Sequence, residues 1–210
     1  IALRDWIRVT LNGRVVNDVF QAGPARGMVG IQLHGSNDRI RVKDITAAEL
    51  QPPREALDRV LPPEPLAERL RNAGGAWEPL FDGETLEGWQ ALWGGIWTVE
   101  EGAIAGRWEP AQERPGSRFK PHGWLLTTRE YGDFALRLSF KVDKGGNSGV
   151  CVRYPRARFL QDPAFSGYEV QIWDVPGEAA EFPTGCIYAM ARATNGLARS
   201  EAWNEMEVFC

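Results

Sequence analysis

Short runs in which apolar and polar residues alternate recur along most of the chain, bounded by Gly, Pro, Asn or Asp. A period of two puts successive side chains on opposite faces, so each run reads as a half-buried β-strand. Runs at 7–11 and 14–20 flank Asn12-Gly13, the pair that best tolerates the positive φ of a tight hairpin. Further runs lie at 28–34, 39–45, 97–100, 103–108, 123–127, 135–142, 148–154, 168–173, 185–190 and 203–210. About twelve short strands with Gly- and Pro-rich turns predict an all-β protein of two packed antiparallel sheets, a sandwich or jelly roll. A closed barrel is the alternative.

Residues 51–76 break this pattern. Pro52-Pro53 opens the segment and Pro62-Pro63 interrupts it, while Leu57, Val60, Leu61, Leu66 and Leu70 fall at helical spacing among Arg and Glu. This is expected to be a short helical connector. The strand at 203–210 stops without turn residues, and 1–9 supply a turn at Arg4-Asp5 and a new strand. Residues 1–50 and 77–210 are therefore expected to build one composite sandwich, with segments in cyclically shifted order and Cys210 close to Ile1. Either the chain completes itself, or a neighbouring copy fills the gap in a head-to-tail assembly. Self-completion is expected, because the first and last strands of a jelly roll usually lie side by side.

Composition narrows the partners. Across 210 residues the net charge is −4, leaving no basic stripe for nucleic acid and no polybasic segment for a membrane surface. No apolar run approaches the length of a membrane span. Neither an initiator Met nor a signal peptide is present, which reads as a mature or excised fragment. Three Cys, at 151, 186 and 210, have no metal-like spacing. Nine Trp exceed what a core needs, and Trp serves flat apolar partners well.

Alternation sorts the polar residues by face. At 168–173, Tyr168, Val170 and Ile172 face the core, which leaves Glu169, Gln171 and Trp173 together on the other side. At 147–153, Ser148, Val150 and Val152 are core, leaving Asn147, Gly149, Cys151 and Arg153 opposite. At 31–34, Ile31 and Leu33 turn inward, so Gln32 and His34 point away. On adjacent strands these residues would floor a polar groove with an aromatic wall. Sugars require that combination, since amide and guanidinium groups pair with hydroxyls and a ring accepts the C–H face. The plainer readings are a cross-strand Glu169–Arg153 ion pair on a solvated face, a structural His34 beside Gly35, and a packing role for Trp173. His122, after Pro121 in a Pro/Gly loop, reads as exposed, and Asp82 as a turn cap. Cys151 could be a free thiol in the groove, with nothing nearby marking it as a nucleophile.

Several segments together resemble the 3-keto-disaccharide hydrolase domain family. Leu80-Phe81-Asp82-Gly83-Glu84-Thr85-Leu86-Glu87-Gly88-Trp89 is similar to its opening, followed in order by residues 97–102, 130–134, Gly146-Asn147-Ser148-Gly149-Val150 and Gly167-Tyr168-Glu169-Val170-Gln171-Ile172. The family's closing strands resemble residues 7–20, Gly30-Ile31-Gln32-Leu33-His34-Gly35 and 42–45, which here stand first. The resemblance implies a concanavalin-like jelly roll, a periplasmic or extracellular location, and a saccharide or 3-keto glycoside as partner. It also selects Asn204 on the late strand as substrate-binding. Its fold class can hold Ca²⁺ on loop carboxylates, but no Asp-rich loop argues for one, and no metal or cofactor is expected.

A ketone at C3 acidifies the C2 proton, so one base can remove it, the C3 oxygen becomes an enolate and the C1 substituent leaves, after which water adds. That scheme needs one base, one oxyanion stabiliser and one acid at most. Glu169 or His34 is the expected base and Arg153 the enolate stabiliser. Asn147, Gln171, Trp173, Gln32 and Asn204 are expected to bind substrate. Two other classes compete: a lectin-like module that binds in the same groove without reacting, and a repeat unit completed by strand exchange.

Overall fold

The structure, a computed structural model, describes residues 6–20, 23–35, 38–50, 76–108, 122–159, 161–175, 181–193 and 197–210. Thirteen strands are found there: β1 (Trp6–Leu11), β2 (Arg14–Phe20), β3 (Met28–His34), β4 (Arg39–Glu49), β5 (Glu78–Pro79), β6 (Trp89–Leu92), β7 (Ile96–Glu100), β8 (Ala103–Arg107), β9 (His122–Thr127), β10 (Phe134–Val142), β11 (Asn147–Tyr154), β12 (Tyr168–Trp173) and β13 (Asn204–Phe209). Nearly all of the expected connector, 51–75, lies outside the described residues, as do the expected turn at Arg4-Asp5 and Ile1. Among the described residues no helix is long and apolar enough to cross a membrane.

The strands form two antiparallel sheets, the all-β sandwich that the alternating runs predict. One has the order β2-β1-β13-β10-β4-β8-β7, with β5 on β4; the other runs β12-β11-β3-β9-β6. Strands from 6–50 are interleaved with the rest. β3 lies between β11 and β9, β4 between β10 and β8, and β1 pairs with β13 through Arg8 opposite Phe209 and Val9 opposite Val208. The core between the sheets is built from the inward set of each strand, including Ile31 and Leu33 of β3, Val150 and Val152 of β11, Val170 and Ile172 of β12, and Leu136 and Phe140 of β10. Asn12 (φ 48°) and Gly13 (φ 79°) make the hairpin that their sequence predicts. Asp82 caps its turn by accepting from the amides of Glu84 and Thr85.

Two local expectations need correction. Residues 185–190 are not a strand. The segment follows the free edge of β12 for only a few bonds (Gln171 N to Cys186 O, Gly185 N to Gln171 O, Tyr188 N to Glu169 O) and then turns back on itself between Ile187 and Ala191. Gly185 (φ 91°) and Ala189 (φ 57°) are left-handed, which no regular strand allows. A helical turn not expected from the sequence, Pro163–Ser166, follows β11, with Asp162 as N-cap and Pro163 at its first position.

Candidate functional site

The outer face of the five-stranded sheet is covered rather than solvated. β3 is buried along all but its last residue, so both of its faces have neighbours. Under the segment after β11, Met28, Leu92, Trp124, Leu126, Cys151, Tyr154 and Ala164 form a second apolar cluster. Beside that cluster the face turns polar. Antiparallel register aligns Trp173, Asn147, His34 and His122 in one row across four strands. The next row carries Gln171, Gly149 and, from β3 and β9, Gln32 opposite Trp124. The third pairs Glu169 with Cys151 and Cys151 with Gly30.

These rows enclose a hollow of about 130 Å³, with Gln32, His34, Asn147, Glu169 and Gln171 in its wall. His122, Asp162, Ala164, Phe165 and Tyr188 complete it. Two glycines shape it. A β-carbon at Gly149 would lie 2.2 Å from Glu169 Oε1, so the bare backbone there is what lets the carboxyl fold across β11. A β-carbon at Gly30 would meet Leu126 at 2.6 Å, so that glycine lets the apolar cluster beside the hollow pack against β3.

Glu169 is 3% exposed. Burial, and then the negative charge of Asp162, push its carboxyl up from 4.5 to about 8. Gln171, with its amide nitrogen turned toward the carboxyl, donates to Glu169 Oε1 at 3.3 Å and to the Ser148 carbonyl at 3.0 Å. Gln32 Oε1 and Asn147 Oδ1 are buried and find no partner among the described residues. Buried polar atoms left without partners are uncommon, and here they border the hollow. His34 Nδ1 stands 3.8 Å from Asp38 Oδ2, and His122 Nε2 3.5 Å from Asp162 Oδ2. The site thus combines a carboxyl held neutral by burial, two imidazoles each beside a carboxylate, and amides for hydroxyl or carbonyl oxygens.

Three expected site residues lie elsewhere. The register of β11 against β3 shifts between Cys151 and Tyr154, and Arg153 sits at that bulge with φ 57°. The extra residue turns Arg153 off the groove face. Its buried guanidinium pairs with Asp133 at 2.9 Å and donates to the Pro24 carbonyl, so Arg153 neither lines the hollow nor bridges to Glu169. Asn204 belongs to the other sheet. It accepts from the Arg199 amide and from Asn12 Nδ2, and donates to the carbonyls of Arg199 and Ala202. Those bonds fasten the β1–β2 hairpin to β13 and leave no group for a substrate. Trp173 keeps the groove-side face, across from Asn147, but lines a separate depression with Asp174 and Thr184.

His122, read from sequence as an exposed loop residue, is instead the first residue of β9 and a wall of the hollow, with the Trp93 ring edge-on at 5.1 Å. Its two-residue offset from buried Trp124 was the available signal. Asp162 could have been found through the Asp-Pro pair that opens a helical turn. Cys151 does face this side, but its thiol lies 3.3 Å from the Pro163 carbonyl, and burial pushes its pKa well up. That is the environment of an inert cysteine. Among the described residues no group of three or more His, Cys, Asp or Glu could hold a metal ion.

The sequence profile of the 3-keto-alpha-glucoside-1,2-lyase-like domain matches residues 76–210. A 3-keto-disaccharide hydrolase of Bacteroides thetaiotaomicron is 35% identical over 79 residues, covering 34% of this chain and 25% of that relative. The chain therefore matches only about a quarter of the relative's length. No solved structure matches.

Proposed function

This chain belongs to the 3-keto-alpha-glucoside-1,2-lyase-like family, and from that premise we propose that it cleaves the glycosidic bond of 3-keto glycosides by removing the C2 proton, with Glu169 as the base. The observation that carries this reading is the buried Glu169 carboxyl, pushed up to about 8, on a hollow whose wall also holds three amides and two imidazoles. A base poised near the working pH is what proton abstraction beside a ketone requires. A module that only binds sugar has no use for a carboxyl whose burial opposes its ionisation.

In this scheme ionised Glu169 takes the C2 proton and the electron pair moves into the C2–C3 bond as the C3 oxygen gains charge. The enolate then re-forms its carbonyl as the C1–O bond breaks, and the departing oxygen takes a proton from an imidazole. Water adds across the resulting enone. Gln171 holds Glu169 in place. Asn147 and Gln32 take the part first expected of Arg153 by donating from their amide NH₂ groups to the C3 oxygen, while their vacant amide oxygens, Oδ1 and Oε1, accept from substrate hydroxyls. His122, backed by Asp162, and His34, backed by Asp38, are the imidazoles available as proton donors.

The test is incubation with a methyl 3-keto-glucoside in D₂O. Released 3-keto-glucose should carry deuterium at C2, and Glu169→Gln should lower kcat/KM at least about 100-fold while its circular dichroism is unchanged. Release without deuterium would point to direct hydrolysis, and no release would remove the enzyme reading.

A further inference from the structure

Phe165 is 64% exposed, more than any other large apolar side chain among the described residues. Phe165 is also held in position. It lies in the turn Pro163–Ser166, whose N-cap Asp162 accepts from the Ala164 amide at 3.1 Å and faces His122 with its other oxygen. Its ring meets Tyr188 edge-on at 6.0 Å, and Tyr188 in turn packs against Phe182 at 5.1 Å. Phe165 and Tyr188 both border the hollow that contains Glu169. The site therefore has a polar floor and an apolar aromatic lip.

Size decides what the lip is for. A hollow of about 130 Å³ has the volume of roughly four waters and admits one sugar ring at most. The other half of any glycoside must lie outside it. Phe165 and Phe182 carry no hydrogen-bonding group, so they reward a flat apolar surface over a set of hydroxyls. The Phe165 turn is tied through Asp162 to His122, so the imidazole suited to protonate a departing oxygen stands on the same side. We propose that Phe165, backed by Tyr188, is the platform for the leaving group and that it selects glycosides with a flat, apolar aglycone. This rests on the proposed function for the meaning of "leaving group", but its test does not depend on turnover.

Calorimetric titration with the phenyl and methyl glucosides of one anomeric configuration, neither carrying the ketone, measures the preference directly. The phenyl glucoside should bind roughly two- to tenfold more tightly than the methyl glucoside, the range that one aromatic contact supplies. Phe165→Ala should erase that ratio, and Phe165→Trp should keep it. Equal binding of the two, a preference that survives Phe165→Ala, or no binding of either overturns the inference. Turnover of the methyl 3-keto-glucoside is measured separately, and its failure together with a phenyl preference would sink the proposed reaction and not the platform.

Discussion

Glu169 sits where ionisation is opposed, and its titration should therefore be visible in stability as well as in rate. Its carboxyl moves from 4.5 when exposed to about 8 in the fold. Between those values the folded chain keeps a proton that the unfolded chain has lost. Glu169 therefore lowers stability as pH rises through that window, with its full penalty above 8. Glu169→Gln removes this dependence, so its Tm should gain on that of the wild-type protein steadily from pH 5 to pH 9 in paired thermal scans. Over the same range wild-type kcat/KM should climb toward a plateau above about 8, because only the ionised carboxyl is a base. Parallel Tm curves for the two proteins would show that burial does not hold the carboxyl neutral, and the proposed base would lose its physical support. None of this could be read from the residues around Glu169. Alternation puts the side chain on the polar face, but its cover comes from irregular segments on either side of β12, Asp162 and Phe165 in the turn before it and Tyr188 in the chain after it, whose path the period of a strand does not predict.

At the scale of single elements, regular strands were legible and irregular ones were not. β12, β3 and the first half of β11 keep their period, so parity alone brings Glu169, Gln171, Gln32, His34 and Asn147 around one hollow. Arg153 fails the same rule because a bulge adds one residue, and nothing in Cys151-Val152-Arg153-Tyr154 announces it. Pro121-His122-Gly123 has the composition of a loop, yet pairing with β3 makes His122 a strand residue, directly opposite His34. The bulge has a consequence that separates its role from catalysis. Arg153 is fully buried, and Asp133, its partner, is partly exposed. Arg153→Ala should then cost about 2–4 kcal/mol in urea denaturation, from the lost pair and the space left behind. Activity per folded molecule should stay within about twofold, since the side chain does not line the hollow. A fall of several orders in kcat at unchanged stability would return Arg153 to the enolate.

For the whole molecule, most of the strand inventory was readable, but the identity of each strand's neighbours was not, because pairing partners are distant in sequence. The observed order makes residues 6–50 indispensable. Removing β3 would split the five-stranded sheet into β12–β11 and β9–β6. Removing β1, β2 and β4 would leave β13–β10 and β8–β7 from the other. Two-stranded ribbons are marginal in water, and their new edges would be open to aggregation. The segment 76–210, which the family profile spans, should therefore not fold alone. Circular dichroism should show no cooperative transition for it, and it should refold when mixed with a separate peptide of residues 1–50. A protease site placed within 51–75 supplies the converse experiment. After cleavage the two parts should stay together as one species of the intact size, held by β1 on β13, β3 between β11 and β9, and β4 between β10 and β8. Self-completion makes that size independent of concentration before and after the cut. If 76–210 alone unfolds cooperatively, the interleaving is not required for stability. If instead the uncut chain grows with concentration, its first strands complete a neighbouring copy, and the head-to-tail assembly replaces the self-completed sandwich.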